Sequence, residues 1–148
     1  MSQHDVSVHW KKETESFAFK DYNREHDWIF SEQEQVRVSS APQYLGNPDC
    51  ADPEQGFVAS LSSCHLLFFI AYCSKKRIEV LDYRDEAYGI LQPDEAGKLV
   101  VSRVVLRPKA IFAVGHEPSQ EQLEKLHHSA HKQCFLANSV KSEIVIEL

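Results

Sequence analysis

Residues 52–77 read DPEQGFVASLSSCHLLFFIAYCSKKR. Asp52 is a good helix cap, Pro53 fits a first helical position, and Gln55 stands three residues after Asp52, the spacing of a capping box. Phe57, Leu61, Leu67, Phe68 and Tyr72 keep a helical spacing, and Lys75, Lys76 and Arg77 suit the negative end of a helix dipole. The stretch therefore predicts a helix from about Pro53 to Lys76. From Leu66 to Cys73 it is apolar on nearly every face, so it must be buried on all sides, by the chain's own sheet or by a second subunit. That run is far shorter than the roughly 20 residues that span a bilayer. A cysteine, Cys64, stands inside the helix.

On either side of this helix the pattern changes to strands. Residues 5–11 alternate Val6, Val8 and Trp10, and FAFKDYNREHDWIF (17–30) follows a polar turn at Glu13–Ser16, which predicts an N-terminal antiparallel hairpin. Gln35–Ser39 predicts a third strand, and the Pro-rich loop 41–53 leads into the helix. Beyond it, Ile78–Leu91 and Leu99–Phe112 are strand-like and joined by PDEAGK, so they predict one long hairpin. A second helix begins near Ser119, with Gln122 in capping-box spacing and a stripe of Leu123, Leu126, Ala130 and Cys134. Ile144, Ile146 and Leu148 alternate as a last strand. Strands, helix, strands, helix, strand is an α+β arrangement, with helices packed on an antiparallel sheet.

With 148 residues and 43% hydrophobic content, the chain predicts a single domain over 1–148. A net charge of −6 argues against nucleic-acid and anionic-membrane partners, which need clustered Lys and Arg. The N-terminus carries no apolar segment after a basic start, so the expectation is a cytoplasmic protein. Four cysteines in such a chain favour free thiols or a catalytic disulfide over structural staples.

Read by position alone, Cys64 is a small buried hydrophobe, because a reactive thiol needs a cation or a helix N-terminus and Cys64 is too far into its helix for the dipole alone. Cys73 reads as packing and Cys50 as a loop thiol. His127, His131 and Cys134 fall at i, i+4 and i+7 on one helical face, a spacing at which N and S ligands can hold zinc; a pair of helix histidines explains the same pattern without metal.

DPEQGFVASLSSCH, with Pro53, Glu54 and Cys64 ten residues after that glutamate, together with HKQCFLANSVKSEI around Cys134, resembles the OsmC/Ohr family of thiol-dependent hydroperoxidases over about residues 50–148. The resemblance implies a peroxidatic Cys64, a resolving Cys134, and an arginine from the N-terminal region that pairs with the thiolate and is aimed by Glu54. Arg24, in DYNREHDW, is favoured for that arginine, and Arg37 is the alternative. It further implies an intertwined homodimer with the long helices wrapped by both sheets, an organic hydroperoxide substrate, no cofactor, and a dithiol reductant, in the best-known branch a lipoylated protein. Two positions depart from the family pattern: Phe135 follows Cys134 where proline is common, and His65 follows Cys64 where an apolar residue is usual. Against the peroxidase stand a catalytically silent redox or ligand-binding module on the same fold and the zinc-binding alternative.

Overall fold

The computed structural model describes residues 1–148. The chain clusters into two compact units, Met1–Gly56 and Phe57–Leu148.

In the first unit, β1 (Ser7–His9), β2 (His26–Ile29) and β3 (Gln35–Val38) form an antiparallel sheet in that order. The hairpin is shorter than its pattern predicts. Phe17–Tyr22 is a turn and not strand, because local groups capture its backbone: the Asp21 and Tyr22 amides donate to the Ala18 carbonyl at 2.9 and 3.1 Å, and the Ser16 hydroxyl donates to the Asp21 carboxylate at 2.7 Å. Side chains that bond nearby backbone in this way compete with a strand ladder. Gly56, at the end of this unit, lies so close to Trp28 that an added Cβ would meet the indole at 2.3 Å, so a larger residue there requires the ring to move.

The long helix α1 runs from Pro53 to Lys75. Its predicted cap is present: the Gln55 amide donates to the Asp52 carboxylate at 2.7 Å, and the Asp52 amide donates to the Gln55 side-chain oxygen at 3.0 Å. It stops at Arg77, whose φ of 58° is left-handed, with the Ile78 amide on the Cys73 carbonyl and the Arg77 amide on the Ser74 carbonyl at 2.9 and 3.0 Å. This is a Schellman stop made without glycine.

The predicted long hairpin is present but broken into two sheets. β4 (Val80–Asp85) pairs antiparallel with β7 (Pro108–Phe112), and β5 (Tyr88–Pro93) pairs antiparallel with β6 (Leu99–Leu106). The break falls at Arg107–Pro108, where proline has no N–H for the ladder. Asp85 holds the corner, accepting from the Arg107 amide at 2.7 Å and from the Ser62 hydroxyl at 2.5 Å. After α2 (Gln120–Gln133), which Ser119 and Gln122 cap as predicted, β8 (Glu143–Ile146) joins β6. That pair is parallel, a correction to an all-antiparallel expectation, because α2 lies in the crossover between the two strands.

Along α1 the core has two parts. Val58 and Leu61 pack with Val104 and Leu106 of β6, and Gly89 of β5 comes close enough that an added Cβ would meet the Val58 side chain at 2.8 Å. Phe69 and Cys73 pack with Leu126 and Ala130 of α2 above the β4–β7 sheet. In length and hydropathy α1 matches a bilayer-crossing helix, but these buried contacts are those of a core helix. The expectation that residues 66–73 are covered on all sides is not met within one chain: Leu67 is 66% exposed and Ile70 41%.

Candidate active site

Cys64 stands midway along α1, half-buried, and opens into a cleft of about 500 Å³. Ser60, Ser63, Leu67, Phe68 and Ala71 supply one wall and Phe135 and Leu136 the other. The Phe68 and Phe135 rings meet edge to face at 5.0 Å, which fixes the segment after α2 against α1. The cleft is almost wholly apolar and contains no cation.

Cys134 is the cap residue at the C-terminal end of α2 and is 1% exposed. Its Sγ accepts from the Ala137 amide at 3.4 Å. Burial, and next the Cys64 thiol beside it, push its pKa up to about 11. The fold therefore brings together two thiols that stand seventy positions apart in sequence, both of them free. A buried thiol held protonated next to a half-exposed one is an arrangement in which a disulfide can close once the outer sulfur is oxidised.

Behind the thiols lies a polar row absent from the expected site. His65 Nε2 and His127 Nδ1 are 2.9 Å apart, and the two side chains are 1% and 3% exposed. The His127 ring also stacks on Phe69, centroids 4.2 Å apart. Burial pushes both histidines down to about 4; next in order, the charge His131 would carry acts on His65 and the charge of His65 acts on His127. Nδ1 of His65 and Nδ1 of His131 are shut off from solvent with no hydrogen-bond partner. In sequence the two halves of the pair are 62 positions apart, so no spacing could announce it. The only available signals were His65 in an apolar run and His127 on the inner face of α2.

The helix-face trio His127, His131 and Cys134 does not come together as a ligand set. Nδ1 of His127 is taken up by His65, and no three His, Cys, Asp or Glu side chains are grouped to hold a metal ion. Cys73 is packed in the core, where burial pushes it up to about 11, and Cys50 is half-buried in its loop.

The remaining expected residues lie in the first unit. Glu54 stands in the first turn of α1, where its charge favours the helix dipole. Arg24 donates to the Tyr22 and Phe19 carbonyls at 2.8 and 2.6 Å and lies 4.1 Å from the centre of the Tyr22 ring. Arg37 is bound to Glu13 at 2.9 Å and to Asp27 at 3.2 Å.

The OsmC-like protein family model matches residues 46–148, which carry both thiols and both helices. The chain belongs to the OsmC-like family. An OsmC-like protein of unknown function from Vibrio cholerae O1 biovar eltor is 43% identical over 99% of both chains, with a TM-score of 0.94. The fold alone is shared with an organic hydroperoxide resistance protein OsmC from Legionella pneumophila, at 17% identity, 100% and 96% coverage and a TM-score of 0.68. It is likewise shared with the organic hydroperoxide resistance protein OhrB of Bacillus subtilis, at 18% identity, 99% and 98% coverage and a TM-score of 0.69. No curated protein matches the chain.

Proposed function

We propose that this OsmC-like chain, one domain over residues 1–148, is a cytoplasmic, cofactor-independent thiol peroxidase that reduces organic hydroperoxides in oxidative-stress defence. The observation that carries the reading is that buried Cys134 lies against Cys64, the thiol that lines an apolar cleft. The Cys64 thiolate attacks the distal oxygen of the hydroperoxide, the O–O bond breaks, the alcohol leaves, and the sulfur becomes a sulfenic acid. Cys134 then displaces the sulfenic oxygen as water and closes the disulfide, which a dithiol reductant, such as a lipoylated protein, reopens. An apolar wall of Leu67, Phe68 and Phe135 suits an alkyl substituent better than hydrogen peroxide. Because the cleft has no cation of its own, the thiolate needs one from the N-terminal region; Arg24 takes that role and Glu54 aims it. A homodimer covers the exposed face of α1 and completes the site.

The test is a pair of variants. Cys64→Ser should abolish turnover of tert-butyl hydroperoxide, whereas Cys134→Ser should still allow one oxidation of Cys64 and then stall as sulfenic acid, visible by mass spectrometry after trapping. Full activity in both variants would end the peroxidase reading.

One observation favours a second reading. A cleft without a cation is also what an inert thiol would occupy, and a silent redox or ligand-binding module would show the same fold. The two part at the first step: a silent module leaves Cys64 reduced in excess hydroperoxide.

A further inference from the structure

α2 turns His127, His131 and Cys134 toward one side, four and three residues apart, and residues at these spacings are neighbours on a helix. Cys134 keeps that relation although it is the cap, since its amide still donates to the His131 carbonyl at 3.1 Å. His127 has its Nδ1 engaged by His65. Nδ1 of His131, by contrast, is buried and has no partner, a state that is destabilising for a buried imidazole nitrogen. This unpartnered nitrogen stands one turn from a thiol that must lose a proton.

We propose that His131 is the proton acceptor for Cys134 when the disulfide closes. This rests on the reading of Cys64 as the thiol that is oxidised first. Nδ1 of His131 takes the proton from the Cys134 thiol, and the sulfur's electron pair forms the S–S bond to Cys64. The S–O bond of the sulfenic acid breaks with its electron pair on oxygen, and that oxygen recovers the proton and leaves as water. Cys134 is oxidised by this step and the Cys64 sulfur is reduced. The need for such an acceptor follows from burial: with a pKa pushed up to about 11, the Cys134 thiol gives almost no thiolate at neutral pH. Histidine is the side chain suited to accept a proton there. The other titratable groups of this seam are Cys64 and His65 on α1, His127 on α2, and Tyr83 and Asp85 on β4; Asp85 is the one carboxylate among them and acts on His65.

Full-length protein carrying His131→Gln or, as a second variant, His131→Asn tests the assignment by stopped flow. Sulfenic acid formation and disulfide closure are followed separately after one equivalent of tert-butyl hydroperoxide. Disulfide closure at pH 7 should slow by about a hundredfold while sulfenic acid forms at its usual rate and accumulates, and raising the pH toward 10 should recover closure as bulk hydroxide replaces the imidazole. Closure at the wild-type rate in both variants, or a slowing that is the same at every pH, overturns the assignment. A second arm uses diamide, which loads Cys64 without peroxide and still requires Cys134 to lose its proton. Slowing in that arm, with no wild-type reaction toward hydroperoxide, keeps His131 and overturns the peroxidase; no slowing in that arm overturns His131.

Discussion

The two candidate arginines differ in what already surrounds them. Arg37 faces two carboxylates, Glu13 and Asp27, and the hydrogen bond to Asp27, then that to Glu13, holds its pKa above the usual value. Arg24 has carbonyl oxygens and aromatic faces as partners, which orient a guanidinium without neutralising it, and the cation's role is proposed for it on that ground. Arg24→Ala should therefore slow iodoacetamide alkylation of Cys64 at pH 7 by about tenfold, equal to about 1.4 kcal/mol of lost thiolate preference, while Arg37→Ala should leave it within about twofold. The reverse result would keep the chemistry and move the cation; no change in either variant would mean an unactivated thiol. At this scale the segments around Cys64 and Cys134 were legible because each is a continuous pattern, and both fall within the residues that the family model matches. The His65–His127 bond was not, since it depends on how two helices meet across 62 residues.

The helices were the most legible elements because their end signals are local. Asp52 with Gln55 and Ser119 with Gln122 form the reciprocal caps that their spacing announces. The strands were less so: one hairpin pattern became two sheets because Pro108 interrupts the ladder and Asp85 bonds across the corner, and a period of two cannot show such a break. The seam between α1 and α2 makes its own prediction. His65 and His127 are pushed down to about 4 in the folded protein by burial, and in the unfolded chain each titrates near 6.5. Between those values the unfolded state binds more protons, so stability is complete above pH 6.5 and is lost as the pH falls toward 4. A single imidazole of this kind removes about 2 kcal/mol by pH 5, and the second adds less than its full share because the two are coupled. Urea unfolding at pH 7.5 and pH 5.0 should show that loss, and a His65→Leu/His127→Leu protein should lose most of it. An unchanged slope in the double variant would mean that the pair is not what makes the fold acid-sensitive.

A single copy of this chain leaves exposed what a stable protein in water would cover. Leu67 and Ile70 on α1, Leu81 on β4, Ile111 on β7 and Phe135 beyond α2 are all at least 41% exposed, and Leu67 and Phe135 line the Cys64 cleft. Scattered apolar residues are ordinary on a surface, but a helix that is apolar from Leu66 to Cys73 and bare on one side is what the proposed homodimer would cover. The expected form is a dimer in which that face meets its counterpart, at about 34 kDa for a chain of 17.0 kDa. Burying a leucine or isoleucine contributes roughly 1.5–3 kcal/mol, so Leu67→Asp/Ile70→Asp should weaken self-association by at least about a thousandfold, since 4.1 kcal/mol corresponds to three decades in Kd. Sedimentation equilibrium at about 10 µM should then give the mass of one chain for the double variant and of two for the wild type. A wild-type protein that sediments as a single chain would sink the dimer. Because Leu67 also lines the cleft, Ile70→Asp alone separates the effects: if the site is completed by the second copy, this variant should lose peroxidase activity in proportion to its loss of dimer and recover it as protein concentration is raised.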